Sequence, residues 1–173
     1  MNSPFAQIFL ALQTQITDIL TPLCPEGATP YIDMDYGQLE NKERPAVAFP
    51  CVLIDFTDWR FTDLSNLVQE ASGNITMKLA TNPYSGTSNI APEDYKDDAL
   101  NILELEYALY KGLEGKRPCT GIGVLGRIHY TSDNRRAGLK VRHITFSCSF
   151  QDYSAKRPMN LVATPPANIT ATL

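Results

Sequence analysis

The fold is decided by a run of apolar and β-branched residues, Cys51-Val52-Leu53-Ile54-Asp55-Phe56. Such density is typical of a central β-strand. Pro50 precedes the run, at the strand position where a missing N–H removes no ladder hydrogen bond. The sequence therefore predicts a β-sheet with this run at its centre.

Further strands are predicted on both sides of this run. Ile75, Met77 and Leu79 alternate with polar residues, which is the period of a strand with one buried face. Gly73, in the same strand, predicts a bulge or bend. Residues 57–66 are expected to form a connection, and residues 132–138 the turn of an antiparallel hairpin. The predicted strands are 31–36, 51–56, 67–81, 126–131 and 141–150.

Two amphipathic helices are predicted. Ser3 is a suitable N-cap with Pro4 at the first helical position, and apolar residues recur from Phe5 to Leu23 at intervals of three and four. Packing of this stripe on the protein's own sheet is favoured over a partner-binding helix. The second helix opens at Pro92. The fold class is therefore α+β, a single antiparallel or mixed β-sheet with two amphipathic helices packed on it.

The chain is expected to form one domain and an extended arm. Its 173 residues, 43% of them hydrophobic, suffice for a single core. From Ser154 onward the periodic apolar content falls and the segment Thr164-Pro165-Pro166 appears. We expect an α+β domain over residues 1–153 and an extended C-terminal arm over 154–173.

Charge and cysteine usage restrict the functional class. The net charge of −4 lacks the basic excess of a protein that grips nucleic acid, so any contact with DNA should be loose. Four scattered cysteines without a C-x-x-C pair favour reduced, structural thiols over a disulfide or zinc site. The amino end lacks the features of a secretory signal, and no stretch approaches the roughly 20 apolar residues of a membrane span. We expect a cytoplasmic protein with no membrane partner.

Residues suited to catalysis or metal binding are few. His129 and His143 fall in the two arms of one hairpin and could face each other, but no third ligand is visible, so a cross-strand contact is favoured. Asp33 and Asp35 share one side of a strand, as in a magnesium-dependent transferase, but charges that keep an edge strand from unwanted pairing are the favoured explanation. We predict no catalytic, metal-binding or cofactor-binding residues, and hence no enzyme.

A glycine-rich run, residues 121–126, spells the G-x-G-x-x-G pattern of dinucleotide-binding domains. In those domains the pattern follows a strand and opens a helix. Here a helix precedes it and a strand follows. We therefore interpret these glycines as a helix-to-strand connection.

Aromatic and basic residues outside the periodic stripes are candidates for protein contacts. The segment 56–61 holds three aromatics, and Trp59 either forms part of a contact surface or caps the core at the end of the sheet. Arg135 and Arg136 either bind an acidic partner or keep a turn solvated. The candidate subunit-interface residues are Trp59, Arg60, Phe61, Ile90, Arg135, Arg136, Leu161 and Val162.

The layout resembles the tail terminator, or tail-completion, proteins that join the tails of long-tailed bacteriophages to the head. The resemblance covers residues 5–152: an opening helix, the strand entry Phe49-Pro50-Cys51-Val52-Leu53-Ile54, a long second strand with Ile75-Thr76-Met77-Lys78-Leu79, a second helix, and a hairpin ending Ile144-Thr145-Phe146-Ser147-Cys148-Ser149-Phe150. It implies a non-enzymatic virion subunit of the tail and neck, assembled in the host cytoplasm. This subunit would form a ring, commonly a hexamer, on the tail-tube protein and bind the head connector or stopper protein, with DNA passing through.

The loop 37–45 and the arm are additions to the commoner family pattern. Three alternatives stay open: a head–tail adaptor or stopper protein of the neck, a small enzyme using Asp33, Asp35 and a histidine, and a non-phage cytoplasmic protein-binding module.

Overall fold

The structure is a computed structural model that describes residues 3–40, 47–82, 88–90, 92–133 and 139–157. It contains two α-helices, a 3-10 turn at Thr21–Leu23 and five strands. In chain order the elements are α1 (Pro4–Leu20), β1 (Tyr31–Met34), β2 (Cys51–Ser65), β3 (Val68–Thr81), α2 (Glu93–Leu113), β4 (Gly126–Asp133) and β5 (Lys140–Asp152).

The five strands form one mixed sheet in the order β1-β2-β3-β5-β4. β1 runs parallel to β2, and the remaining neighbours are antiparallel. Together with the two helices, this confirms the predicted α+β class with a single sheet.

Both helices pack on one face of the sheet. The predicted stripe of α1 is fully buried at Ile8, Leu12, Ile16 and Leu20, so its apolar face belongs to the core of its own domain. The helices approach each other at Gly112, where a Cβ would stand 2.5 Å from the Cδ1 of Ile19. Such close approach needs a residue without a side chain.

The other face of the sheet has a smaller core at one end, formed by Cys51, Leu53, Ala80 and Val141. Elsewhere this face carries hydroxyl groups: the Oγ1 atoms of Thr76 and Thr145 lie 3.2 Å apart across β3 and β5. The two faces therefore differ, one covered by helices and one largely polar.

The expectation of a connection over residues 57–66 is wrong. β2 continues to Ser65, and Asn66 and Leu67 turn the chain directly into β3. Two register shifts, between Thr57 and Arg60 and between Asp63 and Ser65, each accommodate one extra residue on β2. Asp58, in the first, has φ 55°, and the turn uses positive φ at Asn66 (50°) and Leu67 (60°). Glycine usually occupies such turn positions. Because neither residue is a glycine, the sequence did not indicate a hairpin here.

Other boundaries differ by a few residues. β1 ends at Met34 rather than residue 36, and α1 ends at Leu20, before the 3-10 turn. Of the predicted arm, the structure describes residues 154–157 only, so the division into domain and arm stays a prediction. The predicted loop 37–45 also lies partly outside the described residues.

Within the described part of the chain, no helix combines the length and apolar character needed to cross a membrane.

Candidate interaction surfaces

Trp59 lies in an aromatic cluster beside the start of α1. Its ring centroid is 4.9 Å from that of Phe5, at the start of α1, and 5.4 Å from that of Phe150 on β5. The indole Nε1 donates a hydrogen bond to the carbonyl oxygen of Asn74 at 3.1 Å. The side chain is half-buried and caps the core there. Its role as a partner contact stays a prediction.

The outer edge of β2 is open over most of its length. β1 pairs with β2 only as far as Ile54, whose carbonyl accepts from the Asp35 amide at 2.9 Å. Beyond Ile54, none of the described residues pairs with this edge. Backbone groups point to alternate sides along a strand, so the N–H and C=O of Phe56 point to the same side as those of Ile54. β1 has ended at this point and does not pair with them. An open edge of this kind can accept another strand.

Exposed apolar side chains follow this open edge towards the β2–β3 turn. Phe61, Leu64 and Leu67 are 48%, 47% and 50% exposed. Arg60, another predicted interface residue, is exposed beside them. Phe61 and Arg60 were proposed from the sequence, whereas Leu64 and Leu67 were missed.

An apolar groove lies at the point where β1 ends. It has a volume of about 450 Å³. Among the described residues, no charged side chain lines it; the lining residues are Ser3, Phe5, Ala6, Phe9, Leu10, Met34 and Phe56. Leu10 is 45% exposed at its rim. The groove therefore offers an apolar surface directly beside the open edge of β2.

The opposite edge of the sheet is β4. Val124 precedes it, and Ile128 and Tyr130 lie on it; all three are exposed. The Tyr130 hydroxyl donates to Glu106 of α2 at 2.9 Å. Burial and this hydrogen bond raise the pKa of Tyr130. α2 thus holds the β4 edge in place, and no sequence signal separated these apolar residues from ordinary strand positions.

The structure does not place the remaining predicted interface residues together. Ile90 is 87% exposed, two residues before Pro92 at the start of α2. Arg135, Arg136, Leu161 and Val162 lie outside the described residues, so their roles stay predictions.

Asp33 and Asp35 have structural partners. Asp33 accepts from the Tyr31 hydroxyl and from the Met34 amide, both at 2.8 Å, and the first bond raises the pKa of Tyr31. Asp35 forms an ion pair with Lys78 and accepts from the Gly37 amide at 2.9 Å. These bonds fix the segment that follows β1.

Burial by itself would lower the pKa of Lys78. The hydrogen bonds and charges of Asp35 and Glu40 outweigh burial, so the net pKa is raised. Lys78 therefore stays charged and joins β3 to the segment after β1.

The two histidines do not face each other directly, contrary to expectation. His129 lies opposite Thr145 and His143 opposite Thr131, so the two histidines are diagonal neighbours across β4 and β5. Among the residues that the structure describes, no group of three or more His, Cys, Asp or Glu is placed to hold a metal ion.

The glycine-rich run joins α2 to β4, as predicted. The Gly123 amide donates to the Ser149 carbonyl at 2.7 Å, and a Cβ at Gly123 would meet that oxygen at 2.9 Å. A close approach of two backbones explains this glycine.

All four cysteines are free thiols. Burial raises the pKa of Cys51 to about 12 and that of Cys148 to about 11. Both buried thiols are therefore protonated at neutral pH and behave as small apolar side chains.

Comparisons with known proteins give one kind of match. No protein-family model matches the chain, and no curated protein does either. Twenty-two chains of solved structures match. One of them belongs to the virion of a native gene transfer agent particle: the TM-score is 0.48 at 8% identity, covering 83% of this chain and 93% of that one.

Proposed function

We propose that this protein is a non-enzymatic structural subunit of a phage tail and neck that associates head to tail into a ring. The observation that carries the proposal is the pair of unlike edges at opposite ends of one sheet. β2 leaves an open edge with Phe61 and Leu64 exposed, and β4 ends the sheet with Ile128 exposed. Such surfaces suit contacts between copies.

Unlike edges favour a ring over a two-fold dimer. A contact between β2 of one copy and β4 of the next leaves one edge of each kind free, so further copies add until the rotation closes. Charge supports this pairing. The exposed Asp58 and Asp63 lie on β2, and the exposed Arg127 lies on β4. Arg60 stands among the β2 acids, so the complementarity is partial.

The kind of ring follows from the sequence layout, which resembles tail terminators over residues 5–152. In that role the ring, a hexamer in the commoner members, caps the tail-tube protein and binds the head connector. The net charge of −4 suits a lumen through which DNA slides, because an acidic surface does not hold phosphates. A head–tail adaptor or stopper protein would share this assembly. The partner bound by the ring separates the two.

Electron microscopy of the purified chain, alone and mixed with tail-tube protein from its own genome neighbourhood, tests the proposal. Rings, or caps at one end of tubes of fixed length, are the expected result. Rings that bind the connector but ignore tubes would favour the adaptor role. A monodisperse monomer indifferent to tubes would refute the assembly proposal.

Matched variants connect the test to the open edge. Phe61→Ser should abolish rings or caps without unfolding the protein, because Phe61 is 48% exposed. Leu103→Ser is the control, since Leu103 is 44% exposed and lies on α2 rather than on β2 or β4. Circular dichroism should show both variants folded. Equal loss of assembly in both would contradict a specific role for β2.

A further inference from the structure

The apolar groove and the open edge of β2 meet at one place. Met34, the last residue of β1, and Phe56 of β2 both line the groove. The ladder between β1 and β2 stops at Ile54, just before it. An extended segment placed in line with β1 would pair with the β2 backbone and turn every second side chain over the groove. The groove therefore lies where alternate side chains of such a strand would fall.

The chain carries a segment with matching chemistry beyond Arg157. Residues 159–164 read Met-Asn-Leu-Val-Ala-Thr, without charge, and Met159, Leu161 and Ala163 fall on one side of an extended strand. Pro165 and Pro166 then end any ladder, because neither can donate a backbone hydrogen bond. This is a short strand sequence with an apolar side and a defined end.

The position of Arg157 decides which copy supplies this segment. Its carbonyl accepts from the Asn66 Nδ2 at 3.4 Å, so the chain leaves the domain at the β2–β3 turn. Asn66 lies ten positions beyond Phe56 along the hairpin, roughly 30 Å away. Leu161 lies four residues beyond Arg157, within about 14 Å of it. The side chain of Leu161 therefore falls short of the groove of its own copy.

We propose that residues 159–164 of one copy add as a strand to the open edge of β2 in a second copy, with Leu161 seated in the groove. The inference rests on the self-association part of the proposed function. The added strand would occupy the β2 edge beside Phe56, where the β1 ladder stops, and leave Phe61 and Leu64, nearer the β2–β3 turn, for the β4 edge of the next copy. Each copy donates one arm and receives one. The donated apolar side chains cover Leu10 and Phe56, which are otherwise accessible.

Disulfide trapping between full-length variants tests the inference. A tagged Met34→Cys protein is mixed with an untagged Leu161→Cys protein, exposed to diamide and run on a non-reducing gel. We expect a mixed dimer at about tenfold the yield obtained when Val124→Cys replaces Met34→Cys, because docking raises the local thiol concentration. Val124 is exposed near the opposite edge. Each single variant alone controls for the four native thiols.

Two outcomes would overturn the inference. One is a mixed dimer no more abundant than with Val124→Cys. The other is an internal disulfide in the double variant Met34→Cys/Leu161→Cys, which would show that a copy reaches its own groove. Leu161→Asp should also weaken self-association at least about tenfold, whereas Asn160→Asp, on the opposite side of the strand, should have a smaller effect.

The inference and the proposed function fail separately. Disulfide trapping without rings or tube caps would support the arm exchange and contradict the tail role. Rings or caps without disulfide trapping would support the tail role and contradict the arm exchange.

Discussion

The indole ring of Trp59 lies over Gly73, so close that a Cβ at residue 73 would stand 2.5 Å from the ring. Gly73 is on β3, and the register shift of β2 lies opposite it, between Thr57 and Arg60. The glycine thus marks a bulge, as its position in a strand predicts, but the extra residue belongs to the neighbouring strand β2. The missing side chain makes room for the indole.

Gly73→Ala should destabilise the protein by about 1–3 kcal/mol, because the new methyl group forces the indole out of the aromatic cluster. Urea unfolding followed by Trp59 fluorescence measures the free energy of unfolding. Gly126→Ala is the control, since its Cβ would meet Ser147 Oγ at an ordinary 3.5 Å. An equal loss in both variants would show that strand glycines are sensitive for another reason.

Leu67→Gly should raise the free energy of unfolding by about 0.5–1 kcal/mol. Leu67 has φ 60°, a conformation that costs a residue with a Cβ roughly 1–2 kcal/mol and a glycine almost nothing. The loss of a half-exposed side chain and the backbone entropy of glycine offset part of that gain. Leu64→Gly, at an equally exposed position within β2, should instead destabilise. Thermal or urea denaturation distinguishes the two signs, and a loss in both would argue against strain at the turn.

Lys78→Met should cost about 2–3 kcal/mol of stability, because it leaves the Asp35 carboxylate, 6% exposed, without its cation. The double variant Lys78→Met/Asp35→Asn should recover most of this loss. Lys116→Met, at an exposed lysine, should be nearly neutral. Chemical denaturation of the three proteins measures these differences. A double variant as unstable as Lys78→Met would mean that the ion pair is not the cause.

The buried thiol of Cys51 should make the protein less stable in alkali. Burial raises its pKa in the folded protein to about 12, partly offset by the backbone of Ala80, whereas an unfolded thiol titrates near 8.5. Between these values the folded state holds a proton that the unfolded state has lost. Stability therefore falls as pH rises, with this thiol contributing up to about 1.4 kcal/mol per pH unit.

Cys51→Ala should flatten that dependence between about pH 9 and pH 11. Urea unfolding at a series of pH values, with reductant present, measures the slope. Cys24→Ala is the comparison, since Cys24 is only half-buried and should change the slope less. Identical slopes for the wild-type protein and Cys51→Ala would contradict the assignment.

Periodicity predicted the elements that bury one clear face. The stripe of α1 is buried from Ile8 to Leu20, although not at its predicted end, Leu23. The alternating residues Ile75, Met77 and Leu79 of β3 are buried as well. These patterns reflect burial, which acts on every turn or every second residue. The α+β class followed from them.

The far half of β2 escaped prediction because it leaves the core. From Arg60 to Leu67 the side chains are exposed on both faces, so no alternation of apolar and polar residues marks a strand. The turn at Asn66 lacks a glycine. The groove and the two edges depend on which strands are neighbours, and that order is not encoded in the period of any one segment. Trp59, Arg60 and Phe61 were proposed as contact residues from composition alone, and that role stays a prediction.

The difference between the β2 edge and the β4 edge has a consequence for any ring that they form. A contact between unlike surfaces places every copy in the same orientation about the ring axis, without two-fold axes in the plane of the ring. The upper and lower faces of such a ring are then chemically distinct. One sequence can thus present two different binding faces to two different neighbours. The directional order of the assembled particle would then arise from the two unlike edges of a single sheet.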